Sequence, residues 1–408
     1  MLKITKMLFL AVLVIAFQSC GDDDSASTST SSNDDTVTAP STFVFTDDSG
    51  ASTVSYSGQV VRQMLIGEIK SQIGAGTATE AGLLSLYEND DATATYNGTA
   101  TTFQSVSDSY LSNKISGATT VEGYTLGPDA LVKSWFAAAE GVKVADNGVN
   151  LDQMVGKGLL GMVGYYQGTS VYMPRIDQMN TAGTAYEYSN VDIVENKTYT
   201  AVEHYWDESF GYFGAARDYG TQTNSERQSG GSSTEYTSAV NWEWAKYAAK
   251  RSDCTGCDTG EFDTKIMDAY LLGRALISAG ADRSEVAAQR EIIVTEWEKV
   301  VAANVVHYAN DVANLIAEGG DSYDCSANTT CNKYWSEMRA FGLCMQFNTA
   351  YSTFASSTDF TTMISNMLNA PPTASNSAAF VSGVATTNAA FKTHFGFTDN
   401  DIDATNGF

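Results

Sequence analysis

The chain has 408 residues, 43% of them hydrophobic, enough to bury a sizeable core. Acidic residues outnumber basic ones 48 to 23, and the resulting net charge of −25 repels phosphate backbones, which excludes nucleic acid as a partner. Five prolines against 34 glycines suit a mostly helical fold with few rigid turns.

The first residues read as an address. "MLKITKMLFLAVLVIAFQSC" places Lys3 and Lys6 before an apolar run that ends at Cys20. That is the layout of a bacterial lipoprotein signal peptide, over residues 1–19. The run is too short for a permanent membrane helix. On this reading Cys20 is acylated, starts the mature chain and ties it to the outer membrane. An ordinary secretory signal with an incidental cysteine is the alternative. "GDDDSASTSTSSNDDTVTAPST" follows with no apolar periodicity, so residues 20–42 read as a disordered tether. Its acidic start resembles the surface-export signal of Bacteroidetes lipoproteins, which implies a place on the cell surface. The alternative is a spacer facing the periplasm.

Residues 43–408 read as the folded, helical domain. Phe43 to Tyr56 is rich in Thr, Val, Phe and Tyr and admits a short hairpin. Ser57 suits the N-cap of a helix in "GQVVRQMLIGEIKSQI". Apolar spacing predicts further helices near 79–88, 102–115, 128–139, 150–172, 199–213, 238–251, 261–279, 284–317, 333–353 and 377–393. Segments 217–237 and 318–332 read as loops. No repeat of 20–50 residues is evident, so the expected architecture is all-α, a helical bundle or two packed bundles.

"GKGLLG", Gly156 to Gly161, fits G-x-G-x-x-G, but what precedes it reads as a helix start rather than a strand. A dinucleotide site is not expected there. Gly161, Gly164 and Gly168 instead share a helical face and let another element or an aromatic ring approach the backbone. Cysteines in "CTGC" and "CSANTTC" predict two short disulfides, Cys254–Cys257 and Cys325–Cys331, in keeping with an oxidising compartment. Cys344 reads as a free thiol in the core.

The densest chemistry lies in "TAVEHYWDESFGYFG", Thr200 to Gly214. At helical spacing Val202, Trp206, Phe210 and Phe213 form one apolar stripe. His204, Asp207 and Glu208 fall opposite it, with Gly211 leaving a gap beside the imidazole and Tyr205 and Tyr212 flanking it. His204 with Asp207 or Glu208, at i+3 and i+4, has the spacing used by metal sites in helical bundles. His307 and Asp311 repeat the i, i+4 pattern, and Glu337 is a third candidate contributor. Carboxylate and imidazole donors suit iron or another divalent metal. The structural alternative pairs these groups with one another, or Glu203 and Glu208 with Arg62, Arg274 or Arg339. No H-E-x-x-H and no nucleophile motif is present, which leans away from an enzyme.

The blocks "TVSYSGQVVRQML", "LDQMVGKGLLGMVGYYQGTSVYM", "YTAVEHYWDESFGYFG", "GRALI" and "WSEMRAFGL" resemble the domain-of-unknown-function 4856 family of Bacteroidetes lipoproteins. The resemblance spans nearly the whole chain after the tether. More distantly the chain resembles imelysin-like envelope proteins, whose G-x-H-x-x-E motif meets His204 and Asp207 here, with Val202 in place of the glycine. That likeness implies iron as the metal. Three roles follow: a surface-anchored binding lipoprotein for iron or another metal, with an outer-membrane transporter as partner; an imelysin-type hydrolase; or a structural subunit of an outer-membrane complex.

Overall fold

Local capping signals set many of the helix ends. Asp282 and Glu285 close a capping box at the start of the longest helix, and Gly320, at φ 73°, follows its end. The computed structural model describes residues 37–179, 192–230, 240–320 and 322–408. The signal segment, Cys20 and the tether as far as Thr36 lie outside the described residues. Thirteen α-helices are found among the described residues: α1 (Ser57–Gly74), α2 (Glu80–Glu88), α3 (Phe103–Val106), α4 (Pro128–Ala138), α5 (Leu151–Leu159), α6 (Ala201–Phe213), α7 (Asn224–Ser229), α8 (Glu243–Ser252), α9 (Phe262–Ser278), α10 (Arg283–Gly319), α11 (Thr329–Cys344), α12 (Thr358–Asn366) and α13 (Ser377–Phe395). These residues contain isolated β-bridges but no strand. The fold is all-α, as composition and periodicity imply.

Several boundaries differ from the sequence reading for identifiable reasons. In place of a hairpin, Phe43 to Tyr56 makes a single bridge, Thr46 to Ser52, tightened by the Asp47 carboxylate accepting from the Ser49 and Ala51 amides. Tyr56, not Ser57, is the N-cap of α1. Of 102–115, only α3 is helical. Beyond it the carbonyls of Ser107 and Ser109 accept from the Asn89 side chain instead of from a continuing helix. Two short helices, α7 and α12, sit in polar sequence and are started by the side chains of Thr223 and Ser357. The expected helix 333–353 stops at Cys344 and gives way to a 3₁₀ turn, Met345–Phe347.

The largest departure follows α5. Leu160–Tyr172 continues as a π-helix of 13 residues, a conformation usually limited to single-turn bulges. Its glycines allow close packing. A Cβ on Gly161 would lie 2.4 Å from Cys344 Sγ, and one on Gly168 would lie 2.8 Å from the Trp297 ring. Gly156 to Gly161 is therefore mid-helix, and Lys157 is buried against Glu337 at 3.0 Å. Its backbone is not a phosphate-binding turn.

Val37 to Phe408 forms one unit, so the two-bundle alternative does not apply. α10 packs against α9, α11, α8 and α13, while α6 packs on the π-helix, α9 and α1. Trp206, Trp244, Trp297 and Trp335 are fully buried. Core contacts extend N-terminally of Phe43 as far as Val37. Disulfides join Cys254 to Cys257 and Cys325 to Cys331, and Cys344 is free and buried. Among the described residues no helix is long and apolar enough to cross a membrane.

Candidate functional site

α6 is fixed at both ends. Thr200 and Glu203 form a capping box, and Gly214 adopts a left-handed conformation at φ 78°. Val202, Trp206, Phe210 and Phe213 are buried as one face. Phe43 stacks on Phe210 at 3.8 Å, and Trp206 Nε1 donates to the Tyr270 carbonyl at 2.9 Å. Gly273 makes room for that indole, since a Cβ there would meet it at 2.1 Å. One side of the helix is thus structural.

The acidic residues of α6 divide between two environments. Asp207 is 0% exposed and accepts from Arg274 Nε at 2.9 Å and from the Ser55 amide at 3.1 Å. Arg274 also donates to Glu203 at 2.6 Å and to Thr53 Oγ1 at 3.0 Å. Burial pushes the Asp207 carboxyl up to about 7, against the pull of Arg274 and of the Ser55 amide. This clasp joins α6, α9 and the segment before α1, as the alternative pairing of Glu203 with Arg274 anticipates.

His204 and Glu208 face the other way. His204 Nδ1 donates to the Ser55 carbonyl at 3.1 Å, its ring stacks on Tyr199 at 4.6 Å, and Nε2 lies 3.8 Å from Glu208. Asp207 does not join them, because Arg274 holds it. His307 and Asp311 form a separate pair at 3.6 Å on α10. His307 Nδ1 donates to the Phe408 carbonyl at 2.7 Å, and burial with Arg251 nearby lowers its pKa to about 4, so the ring is neutral near pH 7. This pair borders a cavity of about 240 Å³ shared with Arg251, Asp253, Asn310 and Asp403. Glu337 is occupied by Lys157 and Lys333. The five candidate ligands therefore do not converge on one point. Among the described residues no three His, Cys, Asp or Glu side chains are grouped to hold a metal ion. The expected gap at Gly211 is also filled: a Cβ there would lie 2.8 Å from Gln59 Cβ and 2.9 Å from Tyr56 Cβ. This glycine lets the start of α1 approach α6; it does not open a pocket.

What gathers beside His204 and Glu208 is a set of tyrosines and cations. Tyr172, from the end of the π-helix, packs on Tyr212 with ring centroids 6.0 Å apart and on Tyr205 at 6.2 Å. Lys114 Nζ donates to Tyr172 Oη at 3.0 Å, and the Arg175 guanidinium lies 4.2 Å from the Tyr205 centroid. Arg62, only 5% exposed, donates through Nε to the Tyr110 carbonyl at 2.7 Å. Gln59 Nε2 donates to Glu208 at 3.0 Å. Burial, followed by repulsion from Arg62, lowers the Lys114 pKa, while Glu208 acts to raise it. Burial, with Glu208 close by, raises the Tyr172 phenol. A cation at Glu208 would face Lys114 and Arg62, so the charge pattern disfavours a bare metal ion and suits an anion.

Lys114, Tyr172 and Arg175 were not singled out by sequence, and Arg62 entered only as a salt-bridge partner. They come from three distant segments, Tyr172 and Arg175 sharing one, and none shares a spacing with α6. The available hint was weak: isolated bases in an otherwise acidic chain.

A family model described as a domain of unknown function (DUF4856) matches residues 137–386. The matched region contains α6, Tyr172 and Arg175, with Arg62 and Lys114 lying N-terminal to it. No curated protein and no solved structure matches the chain.

Proposed function

The chain belongs to this DUF4856 family, and for it we propose the role of a surface-anchored outer-membrane lipoprotein that binds a ligand at the polar face of α6. The observation that carries the reading is the division of that helix. Its apolar face and Asp207 are committed to the fold, while His204, Tyr205 and Glu208 stay partly exposed beside Arg62, Lys114, Tyr172 and Arg175. A purely structural helix has no need to assemble such groups at a partly open position. The anchor rests on the signal layout ending at Cys20. A binding role is favoured by the chemistry of the cluster, which offers charge and aromatic surface among the described residues.

Iron or another divalent metal remains the second reading, favoured by one observation, the partly exposed His204–Glu208 pair at 3.8 Å. Two donors in a cationic setting fit a weak site at most. The test is native extraction of the lipidated protein, followed by metal analysis and mass spectrometry of co-purifying small molecules, with Cys20→Ser alongside. The proposal expects wild type in the outer-membrane fraction and accessible to protease on intact cells, Cys20→Ser released from the membrane, and a bound compound in the wild-type extract. Unchanged fractionation of Cys20→Ser would overturn the anchor. An extract free of any ligand, together with no ligand-induced thermal shift across a metabolite screen, would overturn the binding role.

A further inference from the structure

Resting on that binding role, we infer that the α6 cluster recognises an oxyanion, a carboxylate or phosphate group of its ligand, through Arg62 and Lys114 with the Tyr212 hydroxyl as a further donor. Four observations converge. Bases are outnumbered 48 to 23 in this chain, so three of them around one tyrosine run against its composition. Arg62 is 5% exposed, and it donates to a backbone carbonyl rather than to a carboxylate. Its Nε is spent on the Tyr110 carbonyl, and its Nη1 lies beside Gly58, where a Cβ would come within 3.2 Å. A buried guanidinium held by a neutral carbonyl is costly, and an incoming anion relieves that cost. Lys114 makes no ion pair among the described residues; its ammonium rests on Tyr172 Oη and lies 5.5 Å from the centre of that ring.

The fourth observation is Tyr212. The residue is 1% exposed, Arg62 directs a donor at its hydroxyl oxygen, and among the described residues the phenolic proton has no acceptor. Arg62 acts on this phenol as a neighbouring positive charge, and Glu208 as a negative one. A buried O–H beside Arg62, its proton without an acceptor, is a donor waiting for one. Among the described residues Glu208 is the carboxylate of the group. Held by Gln59 and near His204, it stands where a hydroxyl or amide of the same ligand would donate to it. The aromatic rings of Tyr172, Tyr205 and Tyr212 supply an apolar wall. The chemical class is thus a small organic acid or phosphate ester carrying a neighbouring hydrogen-bond donor.

The test uses the full mature chain and isothermal titration with inorganic phosphate, sugar phosphates and hydroxycarboxylates. Neutral amide or alcohol analogues and sodium chloride at matched ionic strength serve as controls. Phosphate and carboxylate arms separate the two sources of the oxyanion. At least one anion should bind where its neutral analogue does not. Lys114→Gln should weaken it at least tenfold and Tyr212→Phe several-fold, with thermal midpoints near wild type. Arg62→Gln should weaken it as well, but as a buried residue it is scored only if the variant folds. Binding of a co-purified ligand that is unchanged in Lys114→Gln and Tyr212→Phe would overturn the oxyanion assignment and leave the binding role standing. Equal response to anion, neutral analogue and chloride would overturn it too.

Discussion

Replacing Arg274 with Met would strand Asp207, and the size of the loss should depend on pH. Arg274 is fully buried and satisfies Asp207, Glu203 and Thr53 at once. Glu203 borders an open cleft of about 670 Å³ and can rehydrate there. Asp207, fully buried, cannot. Breaking a buried pair on one side costs roughly 3–5 kcal/mol. An unpaired Asp207 escapes that cost by taking a proton. Because an unfolded aspartate ionises near 3.9, protonation costs about 1.4 kcal/mol for each pH unit above that value. With Arg274 in place the carboxyl already sits near 7, so at pH 5.5 it is protonated in wild type and variant alike, whereas near pH 8 the variant alone stays protonated and bears a further cost of about 1.4 kcal/mol per pH unit above 7. The loss in urea melts of Arg274→Met should be larger near pH 8 than near pH 5.5 by about 1–2 kcal/mol, with the variant relatively more stable in acid. Adding Asp207→Asn should recover most of the loss near pH 8. A loss equal at both pH values would refute the claim that this carboxylate depends on Arg274.

Further outcomes follow from other parts of the fold. Burial raises Glu298 to about 7, with Ser352 donating to it and His394 acting to lower it. A carboxyl raised in the fold loses stability as pH climbs from its unfolded value through the folded one, so Glu298→Gln should gain up to about 3 kcal/mol near pH 8 and nothing near pH 4, read from the pH dependence of unfolding. His307, lowered to about 4, contributes stability that is present above its unfolded pKa near 6.5 and is lost as pH falls toward 4; His307→Gln should flatten that limb of the curve. Gly211→Ala should cost on the order of 1–3 kcal/mol in a chemical melt, because its Cβ would press on Tyr56 and Gln59; a neutral result would mean the two helices separate easily.

How much of this was legible in the sequence depends on the range over which each signal acts. Helix existence was readable because apolar spacing and caps are local, as in the Asp282–Glu285 box of α10. The apolar stripe of α6 was readable for the same reason. The two disulfide pairings follow from short spacings and are present. The π-helix was not readable, since 160–172 carries ordinary helical apolar spacing and only tertiary packing of Trp297 and Cys344 against its glycines marks it out. The partner of Asp207 was not fixed by sequence either, because i+3 spacing from His204 says nothing about an arginine 67 positions away. Gly211 illustrates the same limit: a missing side chain reads as a hole until the neighbouring chain is known to fill it.

The division within α6 also explains why a motif suggestive of metal binding yields a different kind of site. A helix offers i, i+3 and i+4 positions on neighbouring rather than identical azimuths. A small rotation of α6 about its axis therefore decides which carboxylate accompanies His204. Here Trp206, seated over Gly273, and Phe210, stacked on Phe43, fix that rotation. Asp207 is turned to Arg274 and Glu208 to Gln59. Ser55 reinforces the split, since its amide donates to Asp207 while its carbonyl accepts from His204. One backbone residue thus holds the two side chains apart. With Asp207 neutralised inside the clasp, Glu208 is, among the described residues, the acid that faces Arg62 and Lys114, and that pair of bases outweighs it. The core packing of one face of α6 sets the charge, and hence the ligand class, of the other.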